Sequence, residues 1–141
     1  MQRKQITVFT GVLIKDRKIL MNLRREDDLT DAHLKWELPG GKCEWNEKPE
    51  EAIKREFLEE TGVVVSVKKL LPFIHTSYWE YPWGTQQTFI LAFLCEYVEQ
   101  TDRQEDSHIE AVEWIDLDMV EGLETLPGVK EVIRLAIAFP Q

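Results

Sequence analysis

Three glutamates, Glu56, Glu59 and Glu60, lie three and four residues apart within the stretch PEEAIKREFLEETG. On a helix of roughly 3.6 residues per turn they fall within an arc of about 100° and form one acidic patch. Carboxylates gathered this way suit a hard divalent cation such as Mg2+ or Mn2+, and Mg2+ usually completes its shell with water and substrate phosphates. The plainer reading is a solvated surface helix, since glutamate is a good helix former and Glu-rich helices are common. Arg55 lies four before Glu59 and relieves part of the repulsion. Glu56 and Glu60 have no basic residue at matching helical spacing, and like-charged neighbours cost roughly a few tenths of a kcal/mol.

The elements around the patch decide what it can do. Pro49 suits the first turn of a helix and Gly62 a C-terminal stop, so the spacing predicts a helix from about 49 to 61. Ile53 and Phe57 lie beside the acidic arc and would anchor the helix to a sheet, setting the carboxylates at the rim of a buried surface. Just upstream, KWELP reads as a short strand stopped by Pro39, and Gly40-Gly41 permits close backbone approach.

The rest of the chain reads as alternating elements. Gln5 to Ile14 and ILMNLRR form a hairpin about the turn DRK, and DDLTDAH follows as a polar loop. VVVSVKKLLPFIHTSYWE and TFILAFLCEYVE flank the turn YPWG as a long hairpin. QTDRQEDSHIE is a polar loop, AVEWIDL a strand, and GVKEVIRLAIAF a helix with apolar residues at helical spacing. The fold class expected is α/β, with a mixed sheet between helices.

A chain of 141 residues, 43% hydrophobic and 30% charged, has the usage of a globular protein, and residues 1–141 are expected to form a single domain. The net charge of -9, from 26 acidic and 17 basic residues, argues against binding a nucleic-acid polymer through its phosphates, which needs clustered Lys and Arg. It leaves room for a small nucleotide held through a metal. With only Cys43 and Cys95 and no C-x-x-C pattern, neither a disulfide framework nor a cysteine zinc site is indicated. No secretion signal and no membrane-length apolar run is read, so a cytoplasmic setting away from membranes is expected, as monomer or homodimer.

From Gly41 the sequence runs through five residues to Glu47, seven more to Arg55-Glu56-Phe57, one to Glu59-Glu60, and one to Gly62-Val63. This gapped pattern resembles the Nudix box, the signature of hydrolases acting on nucleoside diphosphates linked to another group. All its fixed polar and glycine positions match. Phe57 stands where the family mostly carries an aliphatic residue, which keeps the position apolar. LRRE and WELPGGK also look like the approach to the box in the MutT-like branch.

The resemblance implies an α/β/α sandwich and a Mg2+- or Mn2+-dependent hydrolase of a (deoxy)nucleoside triphosphate, an oxidised one such as 8-oxo-dGTP included. By the same resemblance Gly40, through its backbone, and Glu56, Glu59 and Glu60 hold the metals, with Glu56 also a candidate base. Gly41, Glu47, Arg55 and Gly62 are structural, the Arg55 guanidinium forking onto carboxylates. Arg25 and the stretch Glu37, Leu38, Pro39 and Gly40 line the nucleotide site, and Lys42 is a candidate phosphate contact or a solvated lysine. A further carboxylate before Trp114 falls among Glu105, Asp106 and Glu110, because His108 occupies the aligned position. The aromatic cluster of Tyr78, Trp79, Tyr81 and Trp83 is either a base-stacking surface or a hairpin rim or dimer contact, and Trp36 reads as core packing. Alternative substrates are a nucleotide sugar, a dinucleoside polyphosphate or a noncanonical pyrimidine nucleotide. A nucleotide-sensing domain without turnover belongs to a different class.

Overall fold

The computed structural model of the chain describes residues 1–139. Its centre is a pair of long parallel strands, β1 (Gln2–Lys15) and β6 (Gly84–Gln100), in register from Gln2↔Gly84 to Leu13↔Cys95. β2 (Lys18–Arg24) folds back on β1 as expected, through a turn in which Asp16 and Arg17 both take positive φ. That geometry matches the right-handed twist of a tight hairpin. β5 (Val63–Tyr81) pairs antiparallel with β6 as the expected long hairpin. β3 (Trp36–Glu37) and β7 (Ile109–Asp116) both pair with β2, and β4 (Gly40–Gly41) pairs with β1. The sheet runs β3-β2-β1-β6-β5, mixed in direction because β1 and β6 alone are parallel among these neighbours.

Period-two alternation sends successive residues of each strand to opposite faces, and each face has its own core. Val12, Ile19, Met21, Ala92 and Leu94 pack with Val132, Ile133 and Ala136 of α2 (Val129–Ala138). Leu13, Leu20, Val63, Val65, Phe93 and Cys95 pack with Ile53 and Phe57 of α1 (Pro49–Thr61) on the other face. The sheet therefore lies between helices, as expected for an α/β/α sandwich. Not anticipated was the 3-10 helix at Leu117–Gly122, which buries Val120 between β7 and α2.

α1 is the element that matters for the site. Pro49 opens it, the Lys48 N–H donates to Glu51 at 2.9 Å, and Gly62 closes it at φ 75° with its N–H on Leu58 O. A left-handed residue there satisfies a carbonyl that the helix end would otherwise leave bare. Ile53 and Phe57 are fully buried, each burial stabilising by about 1.5–3 kcal/mol, so the rotation of the helix is set by its apolar face.

Candidate functional site

The turn of chain at Pro39–Gly41 is stitched to the middle of β1. Gly11 N–H donates to Pro39 O at 3.0 Å, and Thr10 and Phe9 pair with Gly40 and Gly41. A Cβ on residue 40 would lie 2.1 Å from Phe9 O, so only glycine fits. This brings Gly40 against the last turn of α1, where its N–H donates to Glu60 Oε1 at 3.2 Å. Asn22 Nδ2, from β2, donates to the same oxygen at 2.9 Å.

Glu60 and Glu56 lie within hydrogen-bonding reach of each other. Burial first, and then this neighbour, push the Glu60 carboxyl well above the usual carboxylate range. Glu59 is more exposed and turns toward Arg55 Nη1 at 3.3 Å. Arg55 is the hub of the segment. Its Nε and Nη2 fork onto Glu47 at 2.8 and 2.9 Å, Nη2 also reaches Lys42 O at 3.1 Å, and Nη1 lies 2.7 Å from Glu56. The hydrogen bonds from Arg55 hold the Glu47 carboxyl down at about 2.

One expectation needs correcting. Helical spacing leaves Glu56 without a basic partner, yet Arg55, its neighbour in sequence, reaches it because the guanidinium is drawn back across the helix by Glu47. Tertiary pairing overrides the three-and-four rule. The acidic arc is consequently not a finished cage: among the described residues no three His, Cys, Asp or Glu side chains stand together around one point. Two converge, Glu56 and Glu60, and Glu59 waits at the rim.

These donors fit a hard divalent cation. Two carboxylates are packed together out of water with one guanidinium between them and Glu59, and buried oxygen ligands of this kind are what Mg2+ or Mn2+ takes. A cation set there would offset the repulsion that drives the Glu60 carboxyl upward.

On the opposite face of the sheet a cleft opens between β1, β5, β6 and the start of α2. Its walls include Thr10, Arg24, Glu37, Leu38, His75, Ser77, Trp79, Tyr81, Thr88 and Gly128. Glu37 is paired with Arg24 at 3.3 Å, and burial nonetheless raises its carboxyl. Trp79 Nε1 donates to Ser77 Oγ at 3.1 Å, which fixes the indole against the wall.

Of the residues expected to line a nucleotide site, Glu37 and Leu38 are in this cleft, and Pro39 and Gly40 continue from it toward the carboxylates. Arg25 is not in it. Arg24 lines the cleft instead, because a register shift at Leu23/Arg24 breaks the alternation that would send it to the other face, while Arg25 pairs with Glu110 in a separate hollow shared with Arg103, Glu105 and Asp106. Asp106 there accepts from the His108 N–H at 2.8 Å. Lys42 is exposed and lines neither hollow. The four hairpin aromatics do not form one cluster. Trp79 and Tyr81 line the cleft, Tyr78 is 66% exposed on the other face, and Trp83 stacks on Tyr81 with centroids 5.2 Å apart. Sequence reasoning passed over Asn22 and His75; the polar residue inside the apolar run ILMNL was the available signal for the first.

The NUDIX domain family profile matches residues 5–135. A MutT-like protein from Streptomyces ambofaciens is 34% identical over 110 residues, 78% of this chain and 63% of that one. An 8-oxo-dGTP diphosphatase from Escherichia coli (strain K12) is 37% identical over 62 residues, 43% of this chain and 46% of that one. The chain thus spans less than two-thirds of the length of either relative. Among solved structures, a NUDIX hydrolase from Nitrosomonas europaea superposes with a TM-score of 0.75 at 24% identity, covering 94% of this chain and 88% of that one, a likeness of fold. With the box residues, the mixed sheet between helices and the profile in agreement, the chain belongs to the Nudix family, among its MutT-like members.

Proposed function

We propose that the protein hydrolyses a phosphoanhydride bond of a (deoxy)nucleoside triphosphate, releasing the nucleoside monophosphate and pyrophosphate, with Mg2+ or Mn2+ as cofactor. One observation carries this reading. The segment Glu37–Gly40 joins the aromatic-walled cleft to the carboxylate pair: Glu37 and Leu38 line the cleft, and Gly40 N–H holds Glu60. Three residues of extended chain span about 10 Å, the reach from a nucleoside to its phosphates.

In this reading the nucleobase lies against Trp79 and Tyr81, the floor of Thr10, Ser77 and Thr88 supplies polar contacts, and the phosphates lie over Gly40. Glu56, Glu59 and Glu60 hold the cation, which when bound neutralises phosphate charge and supplies an activated water. Arg55 and Glu47 keep the loop 42–48 against the helix so that Gly40 and Glu60 stay in contact. Glu56 is the candidate base. The name of the Escherichia coli relative makes 8-oxo-dGTP the first substrate to try.

The test is a panel of canonical and oxidised nucleotides, nucleotide sugars and dinucleoside polyphosphates, incubated with Mg2+ in 18O-labelled water and read by mass spectrometry. Pyrophosphate and a monophosphate are expected. Sugar phosphates would move the substrate to a nucleotide sugar, and tight nucleotide binding without any product would make this a sensing domain.

A further inference from the structure

β2 alternates cleanly up to one position. Ile19 and Met21 enter the α2-side core and Leu20 the α1-side core, so residue 22 falls on the α1 side, where another aliphatic residue would continue the pattern. The chain places Asn22 there, 2% exposed. A carboxamide withdrawn from water costs stability unless its polar atoms are bonded. Among the described residues only one end is satisfied: Nδ2 donates to Glu60 Oε1 at 2.9 Å, and Oδ1 has no partner there.

With the Gly40 N–H at 3.2 Å on the same oxygen, Glu60 Oε1 is held from two sides, by two different strands. The carboxylate cannot rotate without breaking both bonds, and Oε2 remains committed to neither donor. The neighbouring Asn22 Oδ1, buried without a donor among the described residues, is an oxygen acceptor of the kind that the water shell of a partly hydrated cation would satisfy. A leucine would serve the core better, so the cost of Asn22 points to what it does for Glu60.

We infer that Asn22 is a positioning residue for metal binding, holding the Glu60 carboxylate in the orientation that accepts a divalent cation. The inference rests on Glu60 being a ligand, as set out under Proposed function. It is tested with Mn2+ alone: electron paramagnetic resonance measures Mn2+ affinity of the full chain for the parent, N22L, E60Q and N22L/E60Q, and each is melted without metal.

N22L is expected to bind Mn2+ about 10-fold or more weakly, the usual effect of removing a partner behind a metal ligand. It should melt no lower than the parent without metal, because an orphaned polar atom has left the core. In the E60Q background the substitution should cause no further loss of affinity. N22V serves the same purpose should N22L fail to fold. Parent-like Mn2+ affinity in N22L, or losses that add in the double variant, would overturn the inference while leaving the metal reading intact. A parent that binds no Mn2+ would overturn both.

Discussion

Phe57 and Gly11 fill one space between α1 and the sheet: a Cβ on residue 11 would lie 2.4 Å from Phe57 Cε2, with Cys95 Sγ 2.9 Å away. The aromatic residue at this box position is accommodated because the strand beneath it carries no side chain. Gly11→Ala should therefore destabilise by about 1–3 kcal/mol through overpacking. Phe57→Leu in the same chain should recover most of that loss, since it removes the colliding ring edge. Denaturant unfolding of the two single variants and the double variant checks this; additive losses would show that the two residues do not share the space.

The carboxylate pair predicts opposed effects on stability and activity. Glu60→Gln keeps the acceptor oxygen for Gly40 and Asn22 and removes one of two adjoining acidic groups, so the metal-free protein should melt higher than the parent. Hydrolysis should fall by about two orders of magnitude or more, along with the gain in melting temperature that Mg2+ gives the parent. Scanning calorimetry with and without Mg2+, beside a pyrophosphate assay, measures all three.

Glu47 and Arg55 set a pH signature. The Glu47 carboxyl is held at about 2, below its unfolded value near 4.3. A depressed carboxylate contributes stability that is present in full above the unfolded value and is lost as pH falls toward 2. Glu47→Gln should accordingly be less stable than the parent at pH 6, with the difference shrinking below pH 4 and gone near pH 2. A difference constant across that range would mean that the ion pair is not its source.

The split of the hairpin aromatics between two faces separates binding from surface. Trp79→Ala should raise KM for the preferred nucleotide by about 5- to 100-fold, the range for losing one base-stacking partner. Tyr78→Ala, on the opposite face, should leave KM unchanged. Steady-state kinetics on the two variants decides it, and equal effects would argue against the cleft as the base site.

The two thiols should differ in reactivity. Cys95 is buried, and burial raises its thiol to about 12, whereas Cys43 sits partly exposed in the loop after Gly41. At pH 8 a disulfide reagent should label one thiol per folded chain and two in denaturant, because only an accessible thiolate reacts.

Local chemistry made much of the protein legible beforehand. Pro49 and Gly62 bound α1 because each satisfies a need specific to a helix end, and the Gly-Glu-Arg-Glu-Glu spacing carries the family signature through a gapped pattern that few sequences share by chance. β1, β2, the β5–β6 hairpin, β7 and α2 followed from alternation, turn residues and helical spacing, which are properties of neighbours along the chain. What stayed hidden depends on neighbours across it. Strand parity sends Trp79 and Tyr81 to the cleft and Tyr78 away, yet which parity faces the cleft is settled only when the sheet meets α2, and a register shift at Leu23/Arg24 breaks parity to bring Arg24 rather than Arg25 to it. The pull of Glu47 on Arg55 brings that guanidinium to Glu56, a contact helical spacing does not forecast. Asn22 meets Glu60 across 38 positions of sequence, and residue types alone carry no information about such a distance; packing of α1 on β2 does.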